Sequence, residues 1–155
     1  MDNALLDHLK KREGVKYESY KDSLGKPTGG VGHLLSKEEQ KKYPIGTKIP
    51  KEVVDQWLVQ DVSTARNAAK QQLQELPVQD KALEDALVSV NFQLGQNWYK
   101  DHKKTWQYLK EGNLKQASQE VYDSDWAKQT PVRVDDFSNT LKSLNNTNEM
   151  QDYNN

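Results

Sequence analysis

Cysteine is absent from the 155 residues. That excludes a disulfide framework, a thiolate nucleophile and thiolate metal ligands, and it suits a chain that folds in a reducing compartment. With only three histidines as well, no metal site is expected, and no cofactor. An excess of one charge is also missing: 22 Lys and Arg face 23 Asp and Glu, for a net charge of −1. The electrostatic footprint of a nucleic-acid binder is therefore not there. No window approaches the ~18 apolar residues of a membrane span, so stable membrane insertion is not expected. The opening segment "MDNALLDHLKKREG" lacks the basic, apolar, small-residue order of a signal peptide. Apolar bulk is scarce too. Leu, Ile, Val and Phe make up about a fifth of the chain, near the composition at which chains stay disordered. The balanced charge, four Trp and seven Tyr point instead to a folded domain with a modest core.

What is present is mostly helical period. Leu5, Leu6 and Leu9 share a face over residues 3–12, with Lys10, Lys11 and Arg12 at the negative helix end and Gly14 as a stop. From Val15 to His33 that period is lost, and Tyr, Val and Thr alternate with turn residues as in a small antiparallel sheet. "SKEE" at 36–39 is a capping box that starts a short helix, and "YPIGTKIP" reads as a loop. Val53, Val54, Trp57, Leu58, Val62, Ala65 and Ala69 form one stripe of a long helix from Pro50 to about Leu73. Further helices are marked by Ala82, Leu83, Ala86, Leu87 and Val90, by Trp106 and Leu109, by Leu114, Ala117 and Val121, and by Val134, Phe137, Leu141 and Leu144 after the Thr130-Pro131 start. The Asn-rich end is expected to be a frayed polar tail. The fold class is therefore α+β and mainly α. A sheet lobe too small to bury its own core leans on helices, and a cleft between sheet lobe and helical lobe is the expected ligand site.

The most patterned stretch is "EGVKYESYKDSLGKPTGGVGH", Glu13 to His33. Glu13 stands at the C-terminal end of the first helix, where helix carbonyls disfavour negative charge. A carboxyl group placed so and partly buried suits a general acid. Asp22 lies in a turn, where exposure keeps it ionised. One protonated and one ionised carboxyl group is the pair that glycosidic cleavage needs. Thr28 offers a hydroxyl that could hold a water, and the glycines allow backbone to approach a sugar closely. Set against this, two acids among 23 prove little, and Gly, Asp and Lys are ordinary hairpin residues.

The order of these residues resembles the phage-type lysozymes, the bacteriophage T4 lysozyme family of endolysins. That family's pattern is Glu-Gly, then Tyr-x-Asp, then Gly-x-x-Thr-x-Gly-x-Gly-His. It is met by Glu13-Gly14, Tyr20-Lys21-Asp22, Gly25, Thr28, Gly30, Gly32 and His33. "NFQLG" at 91–95 looks like the family's cleft helix end, "SDWAKQTPVR" at 124–133 like its Trp-x-x-Gln-Thr-Pro-x-Arg segment, and "QDV" at 60–62 matches its long connecting helix. The resemblance runs to about Leu144.

It implies a lysozyme-like fold: one domain over 1–145, with a sheet lobe about 14–49, a connecting helix about 50–73, a helical lobe about 79–144 plus the N-terminal helix, and a polar tail over 146–155. It implies an inverting muramidase that cuts the N-acetylmuramic acid to N-acetylglucosamine β-1,4 bond of peptidoglycan and lyses bacteria. Glu13 would be the acid, Asp22 would activate or stabilise water on the opposite face, and Thr28 would position that water. Leu34, Phe92, Thr105 and Glu120 fall at substrate-contact positions, with Thr105 in place of a serine and Glu120 in place of an asparagine. For Phe92, core packing is at least as good a reading as sugar stacking. Arg133 would stand beside the acid, and His33 and Asp61 would pair the sheet lobe with the long helix. Asp61 borders the apolar stripe, and a half-buried carboxylate needs a partner. Gly29 stands where the family usually has Ile or another apolar residue, implying a looser strand. Attraction to the wall would rest on local patches such as "KDHKK" at 100–104. The partner is peptidoglycan, the state a monomer, and the route from host cytoplasm to the wall in the periplasm. A lytic transglycosylase, a wall-binding module with a dead site and a nucleic-acid-binding helical domain remain alternatives.

Overall fold

The computed structural model describes residues 3–154, with side chains through residue 146. The order is α1 (Asn3–Glu13), β1 (Lys16–Lys21), β2 (Pro27–Gly30), β3 (His33–Leu34), α2 (Lys37–Lys42), α3 (Lys51–Gln74), α4 (Lys81–Leu94), α5 (Trp98–Asp101), α6 (Lys103–Lys110), α7 (Leu114–Glu120), α8 (Asp125–Gln129) and α9 (Pro131–Asn154). This is the mainly helical α+β class that the periodicities predict. Two compact units divide it, Met1–Thr64 and Ala65–Asn155, and the division falls inside α3.

In the first unit, α1 ends where Gly14 takes φ 76° and returns its N–H to the Lys10 carbonyl at 2.8 Å, the left-handed cap that a Cβ would oppose. The sheet has order β1-β2-β3, antiparallel throughout. Tyr20 stands opposite Thr28 and Lys21 opposite Pro27, while a bulge between Lys16 and Tyr20 shifts the register. The segment expected as a plain loop after α2 does more than connect. Glu18 bridges Lys48, Ser19 N–H donates to the Thr47 carbonyl, and Ile49 N–H donates to that of Tyr17. Beneath the sheet, Trp57 stacks on His33 at 4.3 Å and meets Tyr43 edge-on at 5.8 Å. Gly29 is explained here. A Cβ on it would come within 2.5 Å of Ile49 Cδ1 and 3.4 Å of the Trp57 ring. The strand expected to be looser at this glycine is instead packed closely by Ile49, which is buried.

The second unit is built around Leu83, Leu87 and Val88 of α4, Leu109 of α6, Leu114 and Ala117 of α7 and Val134 and Leu141 of α9, all buried. Trp98, 1% exposed, meets Trp106 and Phe137 edge-on at 5.8 and 6.2 Å. Arg66 of α3 forks to Glu84 and Asp85 of α4 at 2.8 and 3.0 Å. Two helices escape the periodicity reading. α5 is four residues long and α8 five, too short for a 3.6-residue period to register. α9 continues to Asn154, through most of the stretch expected as a polar tail, because no Gly or Pro interrupts residues 145–154. Met1, Asp2 and Asn155, and the tail's side chains from 147 on, lie outside the described residues.

Candidate active site

Glu13 is the last residue of α1 and half-buried. Its carboxylate lies against the turn between β2 and β3: a Cβ on Gly32, whose φ is 66°, would be 3.4 Å from Glu13 Oε2. A side chain there would crowd the carboxylate as well as strain the backbone.

Asp22 follows β1 directly. Its Oδ1 accepts the Leu24 N–H at 2.9 Å and the Lys26 N–H at 2.8 Å. Its own N–H donates to the Lys26 carbonyl at 2.9 Å, and Gly25, at φ 79°, donates back to the Asp22 carbonyl. The turn thus holds one carboxylate oxygen firmly while Oδ2 has no partner among the described residues. Thr28 is 2% exposed and donates its hydroxyl proton to the Lys26 carbonyl at 2.9 Å. With the proton committed, the oxygen faces any incoming group as an acceptor. Tyr20, across from Thr28 in the register, senses both acids. Its phenol is raised above the usual 10.0 by burial first, then by the charges of Asp22 and Glu13. The hairpin therefore gathers two carboxylates, a hydroxyl and a phenol in one neighbourhood.

His33 sits between two carboxylates. Nδ1 is 2.7 Å from Asp61 Oδ2 and Nε2 is 3.0 Å from Glu39 Oε1. Burial pulls its pKa down, but the hydrogen bonds and charges of Asp61 and Glu39 win and raise it above 6.5. Glu39 goes the other way. Burial raises it, yet the Ser36 N–H and His33 together bring it below 4.5. Sequence reasoning gave Glu39 only its capping-box role. That role is present, with Ser36 N–H donating to Glu39 Oε1 at 2.8 Å and Glu39 N–H to Ser36 Oγ at 3.2 Å. The spacing from His33 carried no signal of the second role.

The other candidates scatter by chemistry. Leu34 on β3 is 54% exposed. Phe92 on α4 is half-buried. Thr105 and Glu120 line one cavity of the helical unit. Arg133 is 6% exposed and donates from one guanidinium nitrogen to the Ser89 carbonyl at 3.0 Å and its Oγ at 2.9 Å. Among the described residues no three His, Asp or Glu side chains converge as metal ligands would, and no helix is long and apolar enough to cross a membrane.

A carboxyl group closes the first helix, and a turn-held carboxylate shares the hairpin with a buried threonine, within a small sheet followed by helices. A family model described as Phage lysozyme matches residues 10–146, and the chain belongs to that family. By class it is a cell-wall hydrolase of the glycoside hydrolase kind. Individual relatives agree. The Probable T4-type lysozyme 2 of Dictyostelium discoideum is 28% identical over 173 residues, 99% of each chain, and its Probable T4-type lysozyme 1 is 27% identical over the same span. The Peptidoglycan hydrolase gp36 of Pseudomonas phage phiKMV is 30% identical over 125 residues, 81% of this chain but 14% of the phage protein.

Proposed function

We propose that the chain is a muramidase that hydrolyses the β-1,4 bond from N-acetylmuramic acid to N-acetylglucosamine in bacterial peptidoglycan, with inversion. The observation that carries this reading is the Asp22–Thr28 pair: a carboxylate oxygen left open by its turn, beside a hydroxyl oxygen whose proton is already donated. A water accepted between them gives one O–H to Asp22 and the other to Thr28, so its lone pair is free for the anomeric carbon. Glu13 gives its proton to the leaving oxygen as the bond breaks. Asp22 takes the proton of the attacking water, and positive charge building on the sugar ring is stabilised by the same carboxylate. Exchange with solvent then returns both groups to their starting states. A one-step inversion requires the carboxyl groups ~6.5–9.5 Å apart. Leu34, Phe92, Thr105 and Glu120 are assigned to substrate contact and Arg133 to support of the acid. The protein acts as a monomer without a cofactor and reaches the wall from the host cytoplasm.

Two measurements test the proposal. A folded Glu13→Gln variant should lose ~10²–10⁴-fold of wall-lysing activity on permeabilised Gram-negative cells, because an amide supplies no proton. Substantial lysis by that variant removes Glu13 from the role of acid. Proton NMR early in digestion of a soluble peptidoglycan fragment should show the α-anomer first. The β-anomer first means retention, with a nucleophile bonded to the sugar. A 1,6-anhydro product without a reducing end means that the sugar's own hydroxyl attacked, and the transglycosylase reading replaces this one.

A further inference from the structure

The bulge in β1 brings a cation onto the sheet face that carries Thr28. Residues directly opposite one another in an antiparallel pair share a face. Tyr20 is opposite Thr28, and Thr28 is opposite Leu34, so the three form one row across the sheet. A Cβ on Gly29 would point at Ile49 and Trp57. Alternation along the strand therefore turns the row of Tyr20, Thr28 and Leu34 away from that core. Lys16 is opposite Gly30, two residues along β2 from Thr28, and so lies on the same face as the row.

Four residues of regular strand would set Lys16 and Tyr20 about 13 Å apart. Their partners Gly30 and Thr28 are only two residues apart, about 7 Å. The register shift between Lys16 and Tyr20 takes up the difference, and a bulge re-aims side chains in this way. Lys16 Nζ consequently lies over the Tyr20 ring, 4.1 Å from its centroid. That same phenol feels the charges of Asp22 and Glu13. Lys16 pairs with neither acid. It is exposed, and its ammonium has no carboxylate partner among the described residues. An ordinary surface lysine swings on a flexible four-carbon stem. This one is seated on an aromatic face with its charge unspent.

We propose that Lys16 is a specificity-determining residue: its ammonium holds a carboxylate of the substrate at the edge of the row, while the Tyr20 ring holds the ammonium in place. The carboxylate of Asp22 repels an acidic substrate, and a cation fixed on the same face offsets that repulsion. The inference rests on the muramidase reading, which supplies carboxylates on the peptide side arms of the glycan. A neutral glycan gains nothing from Lys16, so the residue selects acidic strands over neutral ones.

The test is steady-state cleavage of a soluble peptidoglycan fragment in two forms, one with its carboxyl groups free and one with them converted to methylamides. Lys16→Gln should raise KM for the free form about fivefold, the scale of an exposed ion pair, and leave kcat within about twofold. It should leave KM for the methylamide form unchanged. Lys16→Arg, which keeps the charge and can sit on the same ring, should behave like the unsubstituted chain. The KM gap should close as salt is added. Lys37→Gln, which removes an exposed charge at the start of α2, should leave both KM values alone. The inference falls if Lys16→Gln distinguishes the two forms as the unsubstituted chain does. It falls if Lys37→Gln raises KM as much, since net charge would then be the cause. It falls, too, if Lys16→Gln slows both forms equally, which would make Lys16 a prop of the hairpin. Cleavage that ignores Lys16 overturns this inference alone. A chain that cleaves neither form, while its ¹⁵N-labelled β1 and β2 amides report binding of the free form that depends on Lys16, overturns the muramidase reading alone.

Discussion

Two polar regions of the molecule spend their hydrogen-bonding capacity in opposite ways. In the helical unit, Gln72 donates to Asn91 Oδ1 at 2.9 Å and to the Gln96 carbonyl at 3.2 Å. Its own oxygen accepts from Asn91 at 2.8 Å and from the Trp98 indole at 3.1 Å. Asn91 uses its remaining N–H on the Leu87 carbonyl at 2.8 Å. A primary amide has two donors and two lone pairs, so Gln72 is saturated. In the hairpin, Asp22 closes one carboxylate oxygen and leaves the other open, and Thr28 donates once and accepts nothing among the described residues. A closed network ties helices together and has nothing left to offer. An open one holds its groups in place by half their bonds and reserves the other half, which is what a reaction requires.

The largest expected effect falls on the open region. Asp22→Asn keeps an oxygen to accept the Leu24 and Lys26 N–H groups, so the turn and the melting temperature should survive. The charge and the base are lost, and turnover should fall ~10²–10³-fold, measured as the initial rate of wall lysis. A variant that lyses normally, or one that loses activity only because it unfolds, would place Asp22 with the structural polar groups.

Next comes the closed region. Gln72→Leu orphans the Trp98 indole N–H and two Asn91 valences in residues no more than 5% exposed. Each unsatisfied group costs ~1–3 kcal/mol, so urea unfolding should show a loss of about 3 kcal/mol. The rate of lysis at a temperature where the variant is still folded should stay within about twofold. A slow but stable variant would mean that this network, too, serves the chemistry.

Much of this was legible in the sequence, and what escaped did so for identifiable reasons. Long amphipathic stripes place α3 to within a residue or two and mark the body of α4, because burial repeats with the helix period. The motif residues of the hairpin could be read because turns demand particular residue types at particular offsets. α5 and α8 gave no period. The second partner of His33 and the Ser89 partner of Arg133 are tertiary contacts with no local signature. The close packing at Gly29 has the same origin: the atom that fills its space, Ile49 Cδ1, is twenty residues away in the chain and nothing local announces it. Gly29→Ala should therefore cost ~1–3 kcal/mol by overpacking despite an ordinary backbone angle. Ile49→Val, by removing that methyl, should recover part of the loss in the double variant. Additive losses in thermal unfolding would show that the two positions do not share the space.

The smallest effect is the sharpest test of the hairpin's rim, where a closed arrangement of another kind holds His33. Glu39→Gln preserves the capping box, since a glutamine oxygen still accepts the Ser36 N–H, but removes the charge that faces His33 Nε2. The folded pKa of His33 lies above 6.5, so its share of stability is complete below that value and is lost as pH rises through the folded pKa. The folded pKa of Glu39 lies below 4.5, so its share is complete above that value and is lost as pH falls through the folded pKa. The two overlap between about pH 4.5 and the folded pKa of His33. Within that window the variant should be less stable by about 1 kcal/mol, the scale of a partly exposed pair, and by pH 9 the deficit should shrink to the part owed to the Ser36 N–H, which prefers a charged acceptor. Histidine NMR titration should show the His33 pKa lowered in the variant but still held up by Asp61 at 2.7 Å. A deficit that is equal at pH 6 and pH 9 would assign Glu39 to packing and capping alone, and His33 to Asp61 as its one functional partner.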